Sequence, residues 1–151
     1  MKYRIDLRIE SSNEWIQAVI SDFDTFLLDH ANCERKASAM AMSFVAKFPD
    51  RVKIMGELID IGIEELQHFK DVHDILLSRG LLLPHEIGQD LYVKQLIEGC
   101  RSGREERFMD RLLLASIVET RGAERFKLVY ENIQEIELKS FYHRLWASEA
   151  R

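Results

Sequence analysis

Helix breakers are scarce in this chain: two prolines and seven glycines in 151 residues. Long stretches carry neither, which points to an all-helical fold. Cysteine is equally sparse. Cys33 and Cys100 are too few for a disulfide framework and fit a reducing cytosol. No apolar run approaches the ~20 residues of a membrane span. Met1-Lys2-Tyr3-Arg4-Ile5-Asp6 lacks the apolar core of a secretory signal. An excess of positive charge is missing too. The formal net charge is −5, so no global field draws nucleic acid, and any RNA contact needs a local basic patch. What is present is ordinary for a globular chain, 46% hydrophobic and 31% charged residues. That length supports one domain over 1–151 with a sizeable core.

Four long helices are predicted. Residues 1–10 alternate loosely between apolar and charged and read as an extended arm. The first helix starts near Ser11 or Ser12, because Ser11 and Glu14 fit a capping box, and it ends before Pro49. Its packing seam, in steps of four and three, is Ile16, Ile20, Phe23, Leu27, His30, Glu34, Ala37, Ala41, Phe44. The second runs from about Asp50 to Arg79, stopped by Gly80, with the seam Ile54, Leu58, Ile61, Glu65, His68, Val72, Ile75. The link Phe48-Pro49-Asp50 is short, so these two are antiparallel neighbours. Residues 80–103 read as a long crossover holding a short amphipathic helix over Asp90–Glu98. The third helix, about Arg104–Asn132, has the seam Phe108, Leu112, Ala115, Glu119, Gly122, Phe126, Val129, Ile133. The fourth starts near Glu135, with Leu138, Tyr142, Leu145 and Glu149 on its seam.

Each seam contains a carboxylate where Leu or Ile is expected. Glu65 and His68 also form the sequence's one Glu-x-x-His, and that spacing puts both side chains on one helix face, within reach of a single cation. Alone, the motif is weak: Glu and His meet at this spacing on many solvated faces. The seam position strengthens it, because a buried carboxylate costs several kcal/mol unless paired or bound to a cation. An internal repeat strengthens it again. Glu34 precedes Glu65 by 31 residues and Glu119 precedes Glu149 by 30. The bland alternative is four individually salt-bridged acids. The pattern instead predicts Glu34, Glu65, Glu119 and Glu149 converging at one level of a ferritin-like antiparallel four-helix bundle, neutralised by two divalent ions. Oxygen-rich ligation with a few imidazoles suits iron or manganese. Glu149-Ala150-Arg151 reads as a second Glu-x-x-His cut short, so the chain is expected to be truncated there.

Several segments carry a family resemblance. Leu27-Leu28-Asp29-His30-Ala31-Asn32-Cys33-Glu34-Arg35-Lys36-Ala37, Glu64-Glu65-Leu66-Gln67-His68-Phe69, Asp110-Arg111-Leu112-Leu113, Glu119-Thr120-Arg121 with Glu124-Arg125-Phe126, and Phe141-Tyr142 with Ser148-Glu149-Ala150-Arg151 resemble the MiaE-type tRNA hydroxylases. The resemblance covers about residues 12–151. It implies a ferritin-like non-haem di-iron monooxygenase that hydroxylates the isopentenyl group of 2-methylthio-isopentenyl-adenosine in tRNA. It also implies two iron ions as cofactor, O2 as co-substrate, two electrons from a reductase or ferredoxin, and a cytoplasmic setting without membrane contact. Carried over by position, the iron ligands are Glu34, Glu65, His68, Glu119 and Glu149; the family's next ligand, a histidine, lies one residue past Arg151.

The remaining residues have plainer readings. His30 is read as a packed core histidine in preference to a group supporting Glu34, and Tyr142 as core. Cys33 is read as a small buried residue, Glu124 as a structural partner of Arg121 or Arg125, and His73, His85 and His143 as surface. Arg101, Arg104, Arg107 and Arg111, with Lys47, Arg51 and Lys53, are candidates for RNA phosphates, against the equal reading of solvated helix ends. The alternative functions are a ferritin- or rubrerythrin-like iron-binding or peroxide-scavenging protein and a metal-free helical interaction domain. The absence of Cys-x-x-Cys counts against a rubredoxin module.

Overall fold

The computed structural model describes residues 7–149, and among these every regular element is a helix. The elements are α1 (Asn13–Ser21), α2 (Phe23–Lys47), α3 (Val52–Ser78), α4 (Leu91–Glu98), α5 (Arg104–Asn132) and α6 (Ile136–Glu149). Residues 7–10 carry no regular structure, and the rest of the expected arm, 1–6, lies outside the described residues, as do Ala150 and Arg151. Two compact units are distinguished: residues 23–88, and residues 7–22 with 89–149.

The first unit is the α2–α3 hairpin. Helix α2 ends ahead of Pro49, and the Arg51 N–H donates to the Phe48 carbonyl at 3.1 Å to close the link. The pairing runs in opposite directions along the two helices. Near the link, a Cβ on Gly62 would meet Met42 Sδ at 3.3 Å and Ala41 Cβ at 3.4 Å, so glycine lets the backbones approach. At the far end, Arg79 Nη2 pairs with Asp24 Oδ1 at 2.7 Å. Helix α3 stops at a left-handed Gly80 (φ 71). There the Gly80 N–H donates to the Leu77 carbonyl and the Leu81 N–H to the Leu76 carbonyl, a Schellman closure that satisfies the last carbonyls. Leu27, Val72 and Leu76 are sealed inside, each side chain stabilising the fold by about 1.5–3 kcal/mol through burial.

The second unit holds α1, α4, α5 and α6. Val129, Leu138, Phe141, Tyr142 and Leu145 are buried, and the Phe126 and Tyr142 rings lie 5.6 Å apart. Helix α1 packs on α5: Ser11 N–H donates to Glu124 Oε1 at 2.6 Å, Ser11 Oγ–H to Glu124 Oε2 at 2.9 Å, and the Arg125 guanidinium lies 4.8 Å from the Trp15 ring. Asp90 caps α4 by accepting from the Val93 N–H, at the start expected from sequence.

Three expectations are corrected. The first long helix is two helices: Asp22 leaves helical geometry (φ −142, ψ 69), and Ser21 Oγ–H bonds back to the Ala18 carbonyl, the local competition by which Ser and Asp interrupt helices. The cap of α1 is Ser12, whose Oγ accepts from the Trp15 N–H, because Ser11 is committed to Glu124. The seams drift by a residue in places: Ile61 (43% exposed) and Ile20 (37%) face outward, while Gly62 and Val19 are buried.

Candidate metal centre

Helices α2 and α3 bring Glu34, Glu65 and His68 together. All three are buried, and each offers a ligand atom within 4.8 Å of the other two. The local causes are simple. Glu65 and His68 are one turn apart on α3, and the antiparallel pairing with α2 places Glu34 opposite them. Two carboxylates and one imidazole in a dry interior form a donor set that fits a divalent cation of the iron or manganese type: oxygen-rich, with no thiolate. Without a cation, two buried carboxylates repel each other and lose hydration.

His30, one turn before Glu34 on α2, is 4% exposed, and its Nε2 lies 2.7 Å from Glu34 Oε1. Burial pushes its imidazole well down, to about 3, against an opposing pull from Asp29, so the ring is neutral. A carboxylate only accepts, so beside an ionised Glu34 the ring carries its proton on Nε2 and donates. The core reading of His30 was therefore incomplete: the ring is buried and also bonded to a site carboxylate.

Glu119 and Glu149 belong to the other unit, on α5 and α6. The expected equal burial of all four acids does not hold: Glu119 is exposed and Glu149 half-buried. The Glu119 seam is buried toward its ends, at Phe108, Phe126, Val129 and Ile133, and opens in the middle. A Cβ on Gly122 would lie 3.3 Å from Glu149 Oε2, so the absence of a side chain there lets the Glu149 carboxylate rest on α5. Gly122 is one turn on from Glu119, which puts both carboxylates on the same side of α5. Gly122 was read from sequence only as a seam residue; its small size in a run of Phe, Leu and Ile was the available signal.

The other candidates separate cleanly. Glu124 pairs with Arg121 Nη1 at 3.0 Å, as expected, and Tyr142 is fully buried. His85 and His143 are exposed as expected, whereas His73, expected at the surface, is half-buried against Phe69, and Cys33, expected to be buried, is only half-buried. Among the RNA candidates, Arg101 grips Asp110 through both Nε (3.0 Å) and Nη2 (2.7 Å), a bidentate pairing that competes with phosphate. Arg104, Arg107, Lys47 and Lys53 are exposed.

The chain is an all-α protein of the ferritin-like class. A protein with aldehyde deformylating oxygenase activity from Synechococcus has the same fold, with a TM-score of 0.90 and 31% identity over 96% of this chain and 72% of that one. Within the class, the chain belongs to the MiaE family: the family model tRNA-(MS[2]IO[6]A)-hydroxylase (MiaE) matches residues 2–151. It is similar to the tRNA 2-(methylsulfanyl)-N(6)-isopentenyladenosine(37) hydroxylase of Pseudomonas putida, 35% identical over 138 residues, covering 91% of this chain. The protein of the same name in Salmonella typhimurium is 32% identical over 89 residues, 58% of this chain. The matched regions span 66% of the Pseudomonas relative and 32% of the Salmonella one.

Proposed function

We propose that the chain is the di-iron core of an O2-dependent hydroxylase acting on the isopentenyl group of a 2-methylthio-isopentenyl-adenosine in tRNA. The observation that carries the reading is the buried Glu34–Glu65–His68 group in a member of the MiaE family. Glu34, Glu65 and His68 would hold one iron; Glu119 and Glu149, on the paired α5 and α6, would contribute to a second. The irons supply O2 activation when bound. The net reaction inserts one oxygen atom into a C–H bond, reduces the other to water, and consumes two electrons and two protons. A reductase or ferredoxin provides the electrons, and a cytoplasmic setting follows from the substrate. No helix among the described residues is long and apolar enough to cross a membrane.

The protein's side chains have three tasks here. Glu34 and Glu65 provide negative charge that retains a cation, and His68 adds a neutral nitrogen donor. Leu27 and Val72, both fully buried in the same hairpin, help keep the interior dry. A target base in an anticodon loop is already partly unstacked and can enter a pocket without duplex opening.

The test is direct. Iron-loaded protein, a reductant, O2 and tRNA carrying the methylthio-isopentenyl base should give tRNA heavier by one oxygen, detected by nucleoside mass spectrometry. Unchanged tRNA with iron demonstrably bound would remove the substrate assignment. The 31% identity to the Synechococcus protein favours one other substrate class, an aldehyde, and the same preparation offered an aldehyde distinguishes the two.

A further inference from the structure

The α2 segment holds a second polar group against the site. His30 is among the most buried polar residues of the described chain, and its Nε2 meets Glu34 Oε1 at 2.7 Å across one helical turn. The bond is local: i to i+4 on α2, made as soon as that helix forms. Phe26, one turn earlier, stacks on the ring at 6.1 Å between centroids with 27° between planes, which restricts its rotation.

We propose that His30 is a positioning residue for the cation held by Glu34, Glu65 and His68, acting through Glu34. This rests on the metal-binding reading above. A buried glutamate has three side-chain torsions to fix before it can present an oxygen to a cation, and fixing them on binding lowers affinity. A donor anchored at Oε1 fixes them in advance. The ligand atom that Glu34 offers within 4.8 Å of those of Glu65 and His68 is thereby held ready for an ion. Hydrogen bonding of a ligating carboxylate by a second protein group typically changes metal affinity by 10–100-fold. A ring restrained by Phe26 also restrains the carboxylate it bonds, and so would shape the surroundings of an ion held there.

The test uses the full chain, titrated without oxygen with Fe(II), and with Co(II) for its visible absorption bands. His30→Leu keeps an apolar body of similar reach and removes the donor. His30→Gln restores an N–H at the end of a flexible chain. The expected result is a ~10–100-fold weaker Fe(II) affinity and altered Co(II) bands in His30→Leu, with substantial recovery of both in His30→Gln. Thermal melts of the metal-free proteins separate folding from binding: loss of affinity in a His30→Leu variant that melts cooperatively supports positioning. Wild-type-like affinity and Co(II) bands in His30→Leu would overturn the inference while leaving the metal site intact. Wild-type protein that takes up neither metal would instead overturn the metal reading itself.

Discussion

At the residue scale, the site is a problem of charge without water. Glu34 and Glu65 are 5% and 7% exposed, too buried for hydration to offset two negative charges. Removing one should therefore abolish cation retention while sparing the helices. For Glu65→Ala we expect iron content to fall to background with an unchanged far-ultraviolet circular dichroism spectrum. Gly122→Ala tests the other pair. Alanine favours a helix interior by up to about 1 kcal/mol over glycine, so metal-free stability should not fall. Its methyl would crowd Glu149 Oε2, 3.3 Å from the Cβ position, so iron stoichiometry should drop if Glu149 is a ligand. Glu34, Glu65 and His68 were legible because an acid on an apolar seam stands out, and an i, i+3 spacing fixes which side it faces. The exposure of Glu119 was not legible. Periodicity identifies a helix face but does not say how deeply its middle is covered.

At the element scale, the hairpin depends on close approach of α2 and α3 at Gly62. Gly62→Leu would drive a branched side chain into Met42 and Ala41, and overpacking of this kind costs about 1–3 kcal/mol. The expected readout is a lower urea midpoint and, because the same two helices carry Glu34, Glu65 and His68, weaker iron binding. A second prediction concerns the start of α5. The Arg101 guanidinium, aided by the Arg101 backbone N–H, holds the Asp110 carboxyl down from 3.8 to about 2. The folded state thus binds fewer protons here than the unfolded one. This contribution is complete above pH ~4 and is lost as pH falls toward 2. Asp110→Asn should flatten the stability profile in that window, and added salt should shrink the difference, since the Arg101 side chain is exposed. Several helix ends were legible from sequence: α5 has the expected bounds, Gly80 stops α3 as expected, and α4 begins within one residue of the expected Asp90. The interruption at Asp22 was hidden because the four-three spacing of apolar residues runs straight through it.

At the scale of the whole molecule, the all-α fold was legible from the scarcity of breakers and four sustained seams. The partition of the chain between two compact units was not: its second boundary falls at 88/89 inside the crossover, and its first turns on one residue's backbone. Asp22 separates α1, which belongs with α5, from α2, which belongs with α3. This has a consequence for synthesis on the ribosome. Residues 23–88 are contiguous, so the hairpin bearing Glu34, Glu65 and His68 can assemble as soon as it leaves the exit tunnel. Helix α1 emerges earlier but finishes later, since Ser11 and Trp15 must await Glu124 and Arg125, more than a hundred residues downstream. Nascent chains arrested after α3 should already protect the hairpin from protease while α1 is still cut, and protection of α1 should arrive only once α5 has been translated.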